Sequence, residues 1–137
     1  MKNKLLISLA FLFTFGLLIF FNNNALGGDD PSIKGKLRTD IQSTMKNFIE
    51  NKSVNNVYRH YDPVTGKLLH LKLEKLHIGI IKKGDFYVSC ADFREVSTNK
   101  LVDLDFMVVY NNGITFTSQA IVHKADGKKR AYHLESN

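Results

Sequence analysis

The sequence predicts an α+β domain: one N-terminal amphipathic helix packed on a curved antiparallel sheet of four to five strands. Three observations carry this. Apolar residues recur at helical spacing once, over residues 33–49, and from Val57 onward they alternate with period two. Turn-forming pairs then divide the second half into strand-length pieces.

The chain opens with MKNK and continues with LLISLAFLFTFGLLIFF, seventeen residues (5–21) without a charge. Two lysines, an apolar run and a polar stretch holding Ala25 and Gly27 make the three parts of a secretory signal, with cleavage after Gly27. Seventeen apolar residues also reach the lower end of the roughly 17–25 that cross a bilayer, so an uncleaved anchor is the rival reading. Cleavage makes residues 1–27 a signal peptide and residues 28–137 one domain, periplasmic or extracellular and without stable membrane association. Removing 27 of 137 residues leaves 110, enough for a core of its own. Lys2 and Lys4 leave with the signal, so 19 Lys and Arg become 17 against 13 Asp and Glu, and +6 becomes +4. That mild, dispersed charge and the lack of any aromatic-rich basic motif argue against a nucleic-acid partner. The densest basic string, KADGKKR, is centred on Asp126-Gly127 and reads as a solvated turn.

Asp30-Pro31 is a helix-start signal. Ile33, Leu37, Ile41, Met45, Phe48 and Ile49 follow in steps that draw one stripe, opposite Lys36, Arg38, Asp40, Lys46 and Asn47. Gly35 weakens the first turns, and the helix should fade in NKSVNN, residues 51–56. VYRHY then reads as a short strand, DPVTGK as a turn, and LLHLKLEKLHIGII as a long strand. In that long strand Leu69, Leu71 and Leu73 have the opposite parity to Leu76, Ile78 and Ile80. One extra residue near Glu74-Lys75, a β-bulge, would put all six on the helix side and leave His70, Lys72 and His77 on the other. Two strands broken at Glu74-Lys75 is the alternative. KKGD, NNG (111–113) and Asp126-Gly127 are the remaining turns, separating FYVSCADF, LVDLDFMVVY, ITFTSQAIVHK and a last segment, RAYHLE.

A long helix leading into successive long hairpins is similar to the cystatin-like arrangement and, more distantly, to the NTF2-like cone. The resemblance implies a helix wrapped by a bent sheet and nothing about activity. The cystatin inhibitory signature Gln-x-Val-x-Gly is missing. Its nearest string, Gln119-Ala120-Ile121-Val122-His123, lacks the glycine, so protease inhibition is not carried over. The segments YDPVTGKLLHLKLEKLH, YVSCADF, DLDF and IVHKADGKKRAYHLE also look like those of small uncharacterised exported bacterial proteins, which offer no activity to transfer.

Candidate chemistry is sparse. There is no phosphate loop, dinucleotide fingerprint, Cys-x-x-Cys or Gly-x-Ser-x-Gly, so no cofactor is expected. His70 and His77 stand roughly 20 Å apart on a strand and cannot share one ion. Cys90 is the sole cysteine, so no internal disulfide is available, and both faces of FYVSCADF are apolar enough for a central strand with Cys90 as a small buried residue. Parity sets Val102, Leu104, Phe106 and Val108 against Asp103, Asp105 and Met107. Thr115, Thr117, Gln119, Ile121 and His123 form another single-parity row. His70, His77, Asp103, Asp105, Gln119 and His123 are therefore the candidate ligand-binding residues on a polar sheet face; a plain solvated face is the competing reading. His60 and His133 lie near turns or the C-terminus and are expected in solvent. The leading expectation is a non-enzymatic exported domain that holds a small ligand or protein partner on this face or along a strand edge, where it could also homodimerise. The alternative is a metal or acid–base enzyme site built from Asp103, Asp105, His70 and His123.

Overall fold

The computed structural model describes residues 28–131. The signal peptide assigned to residues 1–27, His133 and most of the segment RAYHLE lie outside the described residues. Helix α1 (Gly35–Asn51) precedes seven strands: β1 (Ser53–Val54), β2 (Val57–Asp62), β3 (Lys67–Lys83), β4 (Phe86–Glu95), β5 (Leu101–Asn111), β6 (Ile114–Ala125) and β7 (Lys128–Lys129). They form one antiparallel meander in chain order. The α+β class is as expected, but the sheet has seven strands rather than four or five. The two additions are two-residue strands made by tight turns. Asn55 and Asn56 both take left-handed backbone (φ 54° and 61°) and fold Ser53-Val54 back on Val57-Tyr58. Asp126-Gly127 does the same for β7.

The start of α1 also differs. Asp30 uses its carboxylate to accept from the Ser32 amide (2.9 Å) and so closes a turn with Pro31. Gly35, at φ +59°, redirects the chain into the helix. The arm before it is tied to β3. The Asp30 amide donates to the Ile80 carbonyl (2.8 Å), and Asp29 Oδ1 accepts from the Ile80 amide (3.1 Å) and from Arg38 (2.8 Å). Ile41, Met45 and Ile49 bury fully at four-residue steps, each contributing about 1.5–3 kcal/mol of apolar burial. Their stripe meets Leu71 and Ile80 of β3, Ala91 and Phe93 of β4, and Val102, Leu104, Phe106 and Val108 of β5. Phe106 packs among three rings, 6.1–6.4 Å from those of Phe48, Tyr58 and Phe93. His60, expected in solvent, is buried on this inner face and stacks on Tyr58.

The bulge in β3 falls where the leucine parity slips. Leu73 pairs with Phe93 and Lys75 with Asp92, so Glu74 is the extra residue. Its side chain points out into a two-point pairing with Arg94. A second irregularity follows, because Leu76 pairs with Ala91 but Ile80 with Ser89, leaving residues 77–79 to span the gap. The six apolar residues therefore do not all reach the helix. Leu71 and Ile80 bury, Leu69 and Leu76 half-bury, but Leu73 is 39% and Ile78 65% exposed. At Ile78 the reason is visible: its carbonyl turns to accept from Arg38 and Gln42 of the helix, which sends the side chain to solvent. The β6 row is divided too. Ser118 is an extra residue between Thr117, paired with Val108, and Gln119, paired with Met107. Thr115 and Thr117 thus share the helix side, where Thr115 bonds Thr44 (2.6 Å), while Gln119 and Ile121 take the outer face.

Candidate metal centre

On β4 and β5 the inner face is apolar, so strict alternation places Cys90, Asp92, Asp103 and Asp105 on the outer face. Register sets Cys90 opposite Asp105 and Asp92 opposite Asp103. The flanking strands each bring a histidine by an irregularity. Asp103 pairs with Lys124 and Leu104 with Val122, so His123 is the extra residue of a bulge in β6. Its Nδ1 lies 3.1 Å from Asp103 Oδ2 and 3.4 Å from Asp105 Oδ1. On the other side, His77 sits at the start of the irregular stretch of β3, with Nε2 3.0 Å from Asp92 Oδ2. Bulges re-aim side chains next to sites, and here two of them converge on one patch.

The patch is not a solvated sheet face. Asp105 is 0%, His123 1%, Cys90 4% and Asp103 5% exposed. Taking a carboxylate out of water costs several kcal/mol unless partners compensate. The Cys90 thiol donates to Asp105 Oδ1 (2.9 Å). Two buried atoms of the patch, Asp103 Oδ1 and His77 Nδ1, nevertheless have no hydrogen-bond partner among the described residues. Leaving a buried polar group unpaired costs about 1–3 kcal/mol each time. His77 Nε2 faces a carboxylate, which leaves Nδ1 as the ring atom with a lone pair to give.

Two overlapping triads could hold a metal ion. Ligating atoms of His77, Cys90 and Asp103 lie within 4.8 Å of one another, and so do those of Asp103, Asp105 and His123. Tetrahedral zinc, with bonds of 2.0–2.3 Å, needs ligand separations of roughly 3.3–3.8 Å. The triads are at most roughly 1–1.5 Å too open, within the reach of side-chain rotations. Beside them a cavity of about 40 Å³ is lined by Asp92, Leu101, Asp103, Lys124 and Gly127. Nucleophilic catalysis by Cys90 fits less well, because a reactive thiolate wants cations around it and the thiol of Cys90 instead bonds a carboxylate.

Of the six residues the sequence proposes, Asp103, Asp105 and His123 come together and His77 joins them. His70 is exposed on β3 opposite Arg59, and Gln119 is exposed on β6 opposite Met107; neither belongs to the cluster. Cys90 and Asp92 are the residues missed as site members. The spacing Cys90-x-Asp92 repeats that of Asp103-x-Asp105, and shared parity was the available signal. A hollow of about 410 Å³ at the hairpin end, reached by Leu69, Val102 and Arg130, is a weaker candidate. Its buried acids already have partners: Asp62 accepts from Val64, Thr65 and Arg130, and Glu95 from Ser97 and Thr98. No family model, curated protein or solved structure matches the chain.

Proposed function

We propose that the domain binds a divalent transition-metal ion on the outer sheet face, through His77 Nδ1, Cys90 Sγ and Asp103 Oδ1. The observation that carries this is the pair of buried, unpartnered atoms on two of the three ligands. An imidazole, a thiolate and one carboxylate form a donor set suited to zinc and its neighbours, unlike the all-oxygen shells of calcium and magnesium. Cys90 must lose its proton on ligation, and Asp105 Oδ1, already the acceptor of the thiol, is placed to take it. Asp92 orients His77 from behind, as outer-shell carboxylates do for metal-bound histidines, while His123, itself beside Asp105, holds the far side of Asp103. In this reading the protein is an exported binding domain, residues 1–27 being its leader.

The experiment is a zinc titration of the purified protein against a competing chelator of known affinity. One ion per chain is expected. Asp103→Asn and His77→Gln should each weaken binding by more than the roughly 10–100-fold that losing an outer-shell partner costs. Absence of binding to the wild type, or wild-type affinity in both variants, would overturn the proposal.

A further inference from the structure

We infer that the ion keeps an open coordination position facing the 40 Å³ cavity, so that it is presented to small molecules instead of being sealed as a structural strut. This rests on the metal reading above. The protein supplies three ligands to the ion, and three protein ligands with a solvent-filled fourth place is the arrangement of reactive zinc sites, whereas structural sites are closed by four. Of the three ligands Asp103 lines the cavity, beside the orienting residue Asp92, and this contact is what places the open position there. Gly127 contributes backbone alone, and a Cβ built there would meet no atom of the described residues within 4 Å. Lys124, opposite Asp103 in the register, places a cation at the same opening.

The volume sets the ligand class. One water needs about 10–15 Å³, so this cavity accommodates roughly three waters or one small anion. Water is the resting ligand, and triatomic anions are the class that displaces it, drawn by the ion and Lys124. Leu101 forms the apolar wall and, being 37% exposed at the start of β5, can be enlarged without disturbing the core.

The test uses the full protein loaded with Co²⁺, whose visible bands report its coordination, and azide as the probe. Azide is expected to shift the bands of the wild type. Leu101→Trp, which fills the cavity, should load Co²⁺ as the wild type does but need roughly tenfold more azide or fail to respond. Leu101→Phe, a smaller plug at the same position, should behave alike if the first variant folds poorly. Loaded wild type whose bands ignore azide, or plugged variants that respond like the wild type, would overturn the open position. Failure to take up Co²⁺ would instead defeat the metal reading on which it rests.

Discussion

The Glu95→Gln variant is expected to lose stability at neutral pH and to recover parity with the wild type in acid. Glu95 ends β4 and organises the loop to β5. Its Oε2 accepts from Ser97 Oγ (2.7 Å), the Thr98 amide (2.7 Å) and Thr98 Oγ1 (2.9 Å). Burial works to raise the carboxyl, but these hydrogen bonds outweigh it and hold the pKa at about 2, against an ordinary 4.5. At about 1.36 kcal/mol per pKa unit, that difference is at most about 3.4 kcal/mol. Solvent screening at a loop this close to the surface brings it to roughly 1–2 kcal/mol. Because the folded pKa is the lower one, the contribution is complete above pH 4.5 and disappears as pH falls through about 2. Urea unfolding of both proteins at pH 7, 4 and 2 measures this directly. A gap of roughly 1–2 kcal/mol at pH 7 that closes toward pH 2 supports the reasoning. A gap independent of pH, or none at pH 7, refutes it.

Phe106→Ala removes a fully buried ring that touches three other aromatic rings and should cost about 3–5 kcal/mol in denaturant unfolding. Gly113→Ala puts an L side chain at φ +81° in the β5–β6 hairpin, where no atom of the described residues would obstruct it. The expected loss of about 1–2 kcal/mol is therefore backbone strain alone, visible as a lower melting temperature with metal binding intact. His70→Ala and Gln119→Ala, on exposed positions away from the cluster, should leave zinc affinity unchanged by chelator competition, separating the residues the fold unites from those it does not.

The elements were legible because local patterning and packing agree for most of the chain. The stripe of α1, the Asn112-Gly113 hairpin and the inner row Val102, Leu104, Phe106 and Val108 follow from period and turn chemistry alone. The Glu74 bulge was legible too, since one extra residue restores the broken leucine parity of a strand that must keep one face on the core. What escaped was every irregularity without an apolar marker. Residues 77–79 depart from the ladder where Arg38 and Gln42 of the helix claim a carbonyl, a contact 36 to 40 residues distant in sequence. The Ser118 and His123 bulges lie in a polar, weakly patterned strand, so nothing in the residues announces that the row from Thr115 to His123 divides. The site was half legible for the same reason. Asp103 and Asp105 follow from parity, whereas Cys90 reads as one more small apolar residue until its pairing with Asp105 is known. Burial of the Asp103–Asp105 patch runs against the competing reading of a plain solvated face.

X-ray absorption at the zinc edge of the loaded protein reads the ligand atoms themselves. One sulfur scatterer at about 2.3 Å with nitrogen and oxygen at about 2.0–2.2 Å is the expected shell, the sulfur vanishing in Cys90→Ser. A shell of nitrogen and oxygen only, identical in wild type and Cys90→Ser, would contradict the claim that this cluster holds the ion.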